Sequence, residues 1–454
     1  MGFCEKLNKR DNILTCIYFF FFGCSYLEYY NTIINLADIL DENFFENGQA
    51  LMSTFPMAYN TFNFCITVVL TILASKLKVY PFNIFAHSAF ILHLLLYIIT
   101  PFILVFVKGT FGFVLAVIII TLSGLPTPMN SSVFMGLSGL FSGVHNAMFF
   151  IGMAAGGVIS WVLRAISNEI CGDNVNHDLF LTFFLNGLIV VMSHVMYIVM
   201  YYTVPLTREL YTLSNSKINT ETEVLVPVES VQIKDSEDSH GNAENAFGED
   251  KDKLIGEDSA ILDDKQMTGS KNIDFKNKIP VTSTIKKLMI NLLSIGLVFF
   301  VTLSTFPGLF TGAHYKETET LSQKLSVRVL NMIFMFGDLL SRFAVYIPIK
   351  FNQWVVFGFV VARFLFYIPV FVYYLGYYTP VPMFFIMLFF SFTNGYFSAV
   401  AIQLANDYMA PPEKKVGGNL VMLSMNIGLT LGSLLLFVFG KTINPYSLDS
   451  SLDV

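Results

Sequence analysis

The chain has 454 residues, of which 54% are hydrophobic and 13% charged, with a formal net charge of −6 and a mean hydropathy of +0.61. Soluble domains run near 25% charged residues, so the composition excludes an ordinary globular protein and points to an all-α polytopic membrane protein. His87, His93, His145, His177, His194, His240 and His314 show no metal-ligand spacing, and no phosphate-cradling glycine loop or positioned nucleophile is present. An ATP-driven pump, a metal centre and an enzyme are therefore not expected, and no cofactor is implied.

Apolar runs of bilayer-spanning length are expected near residues 13–35, 49–74, 82–107, 111–137, 144–166, 179–204, 287–311, 326–348, 352–376, 382–406 and 418–440, giving eleven transmembrane helices. The first follows Lys6, Lys9 and Arg10. It looks like a signal peptide there, but its apolar core is too long and no cleavage site follows, so it stays as a span. Leu27, Glu28, Tyr30 and Asn31 lie in its second half. A carboxyl among tyrosines can bind a cation, relay a proton or rest at the interface, and tyrosines gather at interfaces. Tyr30 and Asn31 are candidate solute contacts, because an aromatic face stacks on a planar ring and an amide pairs with a polar edge.

The fourth span is the least oily, running Ser123-Gly-Leu-Pro-Thr-Pro-Met-Asn-Ser-Ser132. Pro126 and Pro128 are expected to break its backbone bonding, and Asn130, Ser131 and Ser132 to serve a solute. Gly136 and Gly139 read equally well as a close-packing surface.

Residues 207–284 invert the character of the chain, with 16 acidic and nine basic residues and few aromatics. They are expected to form a disordered cytosolic loop. The domains are then a cytosolic amino terminus (1–12), a six-helix bundle (13–206), the acidic loop (207–284), a five-helix bundle (285–443) and an extracellular tail (444–454). Six helices before the loop and five after it fit two bundles facing a central site, as in carriers of the major facilitator type.

The seventh span holds Phe306-Pro307-Gly308, a kink with an aromatic at its hinge. The eighth carries Asp338 and Arg342, four residues apart on one helical face, with Asn331 two turns earlier on the same stripe. A charge at mid-membrane costs about 2.5–3.5 kcal/mol on insertion scales, so such a pair is kept where it faces protein or a wet cavity. Arg363 in the ninth span is read as a helix staple, and the tenth holds Asn394-Gly-Tyr396, then Gln403, Asn406 and Asp407. Lys and Arg concentrate on the face carrying the amino terminus, while the first opposite loop has Asp38, Asp41, Glu42 and Glu46 without a basic residue. A cytosolic amino terminus and an extracellular carboxyl terminus follow.

Together these landmarks resemble the equilibrative nucleoside transporter family. Phe336-Gly-Asp-Leu-Leu-Ser-Arg342 resembles its Asp-x-x-x-Arg signature, and Thr305-Phe-Pro-Gly308 its seventh-span Phe-Pro. Ala362-Arg-Phe-Leu-Phe-Tyr-Ile-Pro369, Thr393-Asn-Gly-Tyr396, Gly136-Leu-Ser-Gly-Leu140 and Asn426-Ile-Gly-Leu-Thr-Leu-Gly432 are similar to its later signatures. The resemblance implies a plasma-membrane facilitator of nucleosides and nucleobases, purines favoured, working as a monomer in the lipid bilayer without nucleic acid. It implies substrate contacts from Asp338, Arg342, Tyr30, Asn31, Leu27, Asn130, Ser131, Phe306 and Asn331, and gating or structural roles for Pro307, Arg363 and Asn394. Tyr30 stands where the family has a Trp, Asn130 to Ser132 where it has a Gln, and His87 nearest to its third-span Arg. A proton-coupled carrier, a sugar or folate carrier and a non-transporting scaffold are the alternatives.

Overall fold

The bilayer interior offers the backbone no water to bond, so apolar runs fold as helices that satisfy their own amides. The computed structural model describes residues 9–36, 39–40, 48–76, 82–141, 143–172, 174–205, 207, 281–311, 323–346, 351–375, 380–410 and 413–442. The loop expected at 207–284 and the terminal segments fall mostly outside these residues. Where they meet them, helix already begins at Val281, ahead of the expected boundary at 285.

The first span is broken into α1 (Lys9–Tyr26) and α2 (Glu28–Asn35), which bend by 47° at Leu27. Then come α3 (Gly48–Lys76), α4 (Phe82–Phe106), α5 (Gly109–Ser123), α6 (Pro126–Phe141), α7 (Gly143–Cys171) and α8 (Val175–Thr203). The second half holds α9 (Val281–Leu303), α10 (Gly308–Thr311), α11 (Gln323–Phe343), α12 (Gln353–Ala362), α13 (Tyr367–Tyr374), α14 (Pro380–Tyr408) and α15 (Lys414–Thr442). Both sets belong to one compact unit.

Among the described residues nine helices pass as membrane spans by length and apolarity, or ten with α1 and α2 taken as one. The expected count of eleven is not confirmed. The remaining candidate, α11, is 21 residues long but holds Lys324, Arg328, Asp338 and Arg342, so composition alone does not mark it. Ile98, Phe102, Phe106, Leu365, Ile368 and Phe385 are exposed on the outer surface, while the interior combines an apolar core with many buried Asn, Ser and Thr side chains.

Breaks also interrupt the fourth, seventh and ninth spans. Between α5 and α6 the chain turns at Gly124–Leu125, ahead of the prolines. Pro126 is instead the first residue of α6, a position whose N–H has no helical acceptor to lose. Gly124 lets the turn press on α3, since an added Cβ would stand 2.7 Å from the Tyr59 carbonyl oxygen. The seventh span breaks between Ser304 and Pro307, and the ninth passes through a 3-10 turn at Arg363–Phe366.

The two halves are built alike. In the first, α7 packs on α1 through Gly152 and Gly156, where an added Cβ would collide with the carbonyl oxygens of Phe20 and Cys24. In the second, α15 packs on α9 through Gly428 and Gly432, facing the oxygens of Gly296 and Phe300. Glycines four residues apart let two backbones approach to contact, which is how membrane helices gain van der Waals attraction without a hydrophobic drive. The halves meet where α3 and α6 lie against α15 and where α7 lies against α11. Asn426 Nδ2 donates to Thr67 Oγ1 at 2.8 Å and Thr430 Oγ1 to the Asn60 oxygen at 2.9 Å, pinning α15 to α3.

Candidate functional site

A cavity of about 100 Å³ opens between the halves, walled by residues of α2, α3, α7, α9, α11, α14 and α15. It lies beside the breaks in the first and seventh spans, because Leu27, Tyr30, Asn31 and Ile34 come from one and Leu303 and Phe306 from the other. Asp338 and Arg342 close its floor, both more than nine-tenths buried.

The pair is the end of a hydrogen-bonded chain. Arg342 grips Asp338 Oδ2 through Nε at 3.1 Å and Nη2 at 3.0 Å. Asp338 Oδ1 accepts from Asn394 Nδ2 at 2.7 Å. The Asn394 oxygen in turn accepts from Arg363 Nη1 at 3.3 Å and Thr302 Oγ1 at 2.6 Å. Arg363 also donates to Thr302 Oγ1 at 3.0 Å and lies 5.0 Å from the Phe390 ring centroid. The Asn394 amide can bond a carboxylate on one side and a guanidinium on the other in one orientation only, so its sense follows from its neighbours. Two guanidinium groups share one carboxylate here, which leaves a positive excess. Arg342 Nη1 has no hydrogen-bond partner among the described residues, although it is buried.

Aromatic walls stand above this floor. Tyr30 and Tyr59 stack at 5.0 Å on the first half, and Phe306 and Phe334 at 4.0 Å on the second. Gly157 completes the wall by its lack of a side chain, since a Cβ there would lie 2.6 Å from Met335 Sδ and 3.6 Å from the Asn31 amide nitrogen.

The structure thus brings together Asp338, Arg342, Tyr30, Asn31, Leu27 and Phe306, with Asn394 beside them. Asn331, Asn130 and Ser131 lie outside the cavity lining. Asn331 is on the stripe of Asp338 but a turn beyond Phe334, past the end of the cavity. Asn130 is fully buried in α6 with neither amide atom bonded among the described residues, and Ser131 Oγ donates to the Pro128 carbonyl oxygen at 3.1 Å. Pro307 terminates the break after Leu303, and Arg363 ties α9, the 3-10 turn and α14 together. Tyr59, Asn60, Thr302 and Phe334 were not anticipated from sequence. Phe334 carried a signal, four residues before Asp338 and so on the same helical face.

A model of the nucleoside transporter family matches residues 114–441, more than two thirds of the chain. The chain belongs to the nucleoside transporter family. The matched region takes in the Asp338–Arg342 pair, Arg363 and Asn394. A relative, equilibrative nucleoside transporter 4 of Danio rerio, is 28% identical over 153 residues, 32% of this chain and 28% of that protein. The match therefore spans little more than a quarter of that relative. Among solved structures, an auto-inhibited peptide transporter of the POT family superposes with a TM-score of 0.54 at 11% identity, covering 97% of this chain and 91% of that one. A bacterial homologue of the iron transporter ferroportin in an outward-facing state gives 0.52 at 11%, covering 97% and 94%. A proton:xylose symporter of the major facilitator superfamily gives 0.51 at 10%, covering 97% and 89%. At these identities the likeness is one of fold, and it places this family member among two-bundle, major-facilitator-like architectures.

Proposed function

We propose that this chain is a facilitative carrier, and not an enzyme, that moves nucleosides and nucleobases, purines favoured, down their gradients by alternating access of the central cavity. The observation that carries this reading is the Asp338–Arg342 pair at the floor of a cavity walled by an aromatic stack on each half. Both Asp338 oxygens keep lone-pair sites beyond those filled by Arg342 and Asn394, and Arg342 Nη1 keeps its donors. A pair of vicinal ribose hydroxyls can donate to the first and accept from the second. The base then rises between the aromatic walls, with the Asn31 and Asn60 amides at its edge. Lysines and arginines of the short loops support a cytosolic amino terminus and a carboxyl terminus on the opposite face, and membership of the family supports residence in the plasma membrane. Initial rates of labelled inosine and adenosine uptake by cells expressing the chain test the reading. Saturable uptake that other purine nucleosides inhibit and glucose and folate do not is expected, and no saturable uptake of any purine or pyrimidine contradicts it.

Proton coupling is a second reading, favoured by Glu28. It is wholly buried at the bend of the first span, and neither carboxyl oxygen has a hydrogen-bond partner among the described residues. A carboxyl that sits dry in one state and meets water in another takes up and releases a proton each cycle. Uptake that collapses when a protonophore removes the pH gradient would favour this reading, and uptake indifferent to the gradient would exclude it.

A further inference from the structure

A second cavity of about 260 Å³ lies on the amino-terminal side of the first, and Arg342 lines both. Its walls come from both halves. Phe150 and Asn146 stand on α7, with Gln403, Asn406 and Asp407 opposite them on α14. The spacing i, i+3, i+4 puts the last three on one helical face, so a carboxylate and two amides look across the gap at a third amide. Phe150 is buried at the inner end, whereas Gln403 and Asp407 are exposed at the mouth. The cavity therefore has a flat apolar wall within, a polar rim outside, and a guanidinium shared with the central site.

We propose that this cavity is a second solute subsite, which a nucleoside or nucleobase occupies between Arg342 and the amino-terminal face. The inference rests on the carrier reading above and adds a station to its path. The chemistry of the lining is that of the central site with the groups exchanged. Amides and a carboxylate offer donors and acceptors to a base edge or to sugar hydroxyls, and the Phe150 ring offers a stacking face. Arg342 sets a positive charge at the inner end of this cavity and Asp407 a negative one at its mouth. Because its polar groups are divided between α7 and α14, the subsite exists only while the halves stand apart at this face. Solute loading from the amino-terminal side meets it on entry, whereas solute entering from the opposite side passes it only on release.

A carrier that adds no energy must have the same ratio of Vmax to KM in both directions. Weakening a subsite met on entry only from one side therefore raises KM and Vmax together in that direction and leaves the other direction unchanged. The test is zero-trans efflux and influx of labelled inosine in cells expressing full-length Gln403→Ala, Asn146→Ala and the double variant, with membrane insertion quantified by surface labelling. One lost neutral hydrogen bond predicts an efflux KM raised about three- to tenfold, matched by efflux Vmax, with influx KM within about twofold of the parent. An unchanged efflux KM in all three variants overturns the subsite, as does an equal rise in both directions, which would assign these residues to the central site or to folding. If the parent chain moves inosine in neither direction, the carrier reading falls and the subsite with it, whereas normal parental flux with unchanged variants removes the subsite alone.

Discussion

Asp338→Asn keeps the shape of the side chain and removes its charge. Asn keeps one acceptor oxygen, so either the two Arg342 bonds to Oδ2, at 3.1 and 3.0 Å, or the Asn394 bond to Oδ1 loses its acceptor, and the ion pair loses its negative charge. Breaking a buried ion pair costs about 3–5 kcal/mol of stability, so the yield of inserted protein falls and rates must be normalised to the amount in the membrane. For the solute, the loss is one hydrogen bond to a charged group, worth about 1.5–3 kcal/mol, or about ten- to a hundredfold in half-saturation. A double-mutant cycle separates the two costs. Inosine and its 2′,3′-dideoxy analogue are measured as competitors of labelled adenosine uptake in the parent and in Asp338→Asn. If the carboxylate binds the ribose hydroxyls, the preference of the parent for inosine over the dideoxy analogue falls by that factor in the variant, to what Arg342 alone supplies. A variant that still prefers inosine to the same extent would refute the assignment, whatever its absolute rate.

Other expectations follow from the same geometry. Tyr30→Ala should raise the half-saturation for inosine by about one stacking interaction, some three- to tenfold, while Tyr30→Trp retains it; equal values in the parent and the alanine variant, measured by competition, would remove Tyr30 from the wall. Gly152→Ala sets a Cβ against the Phe20 carbonyl and should lower stability by about 1–3 kcal/mol in thermal unfolding of detergent-solubilised protein, whereas Gly358→Ala, with open space around it, should be neutral. Glu28→Gln should abolish any response of uptake to a pH gradient, and a response that survives the substitution would free Glu28 from coupling. Deleting residues 224–264 should leave flux intact, and its loss would show that the acidic segment acts in transport.

The spans were legible because a bilayer demands about 20 apolar residues, and that requirement leaves a wide mark in the sequence. Their interruptions were less so. At Leu27 the first span bends without a glycine or proline beside the break, so nothing local announces it. Pro126 and Pro128 did announce a break, but it falls just before them, since proline fits the first turn of the following helix. Asp338 and Arg342 stood out because charges are rare at membrane depth. Tyr59 and Asn60 did not, because aromatic residues and amides are common in these spans and only tertiary packing selects which ones face the cavity. The same limit separates Asn331 from Asp338: periodicity places both on one face, but only the packing of neighbouring helices decides where along that face the cavity ends.

The decisive experiment is a density map of the purified protein with saturating inosine. A ribose within hydrogen-bond distance, about 3 Å, of Asp338 and Arg342 is expected, with a base between the Tyr30–Tyr59 and Phe306–Phe334 stacks. A nucleoside bound away from that pair, or a pair found sealed in dry packing while the protein transports, would contradict it.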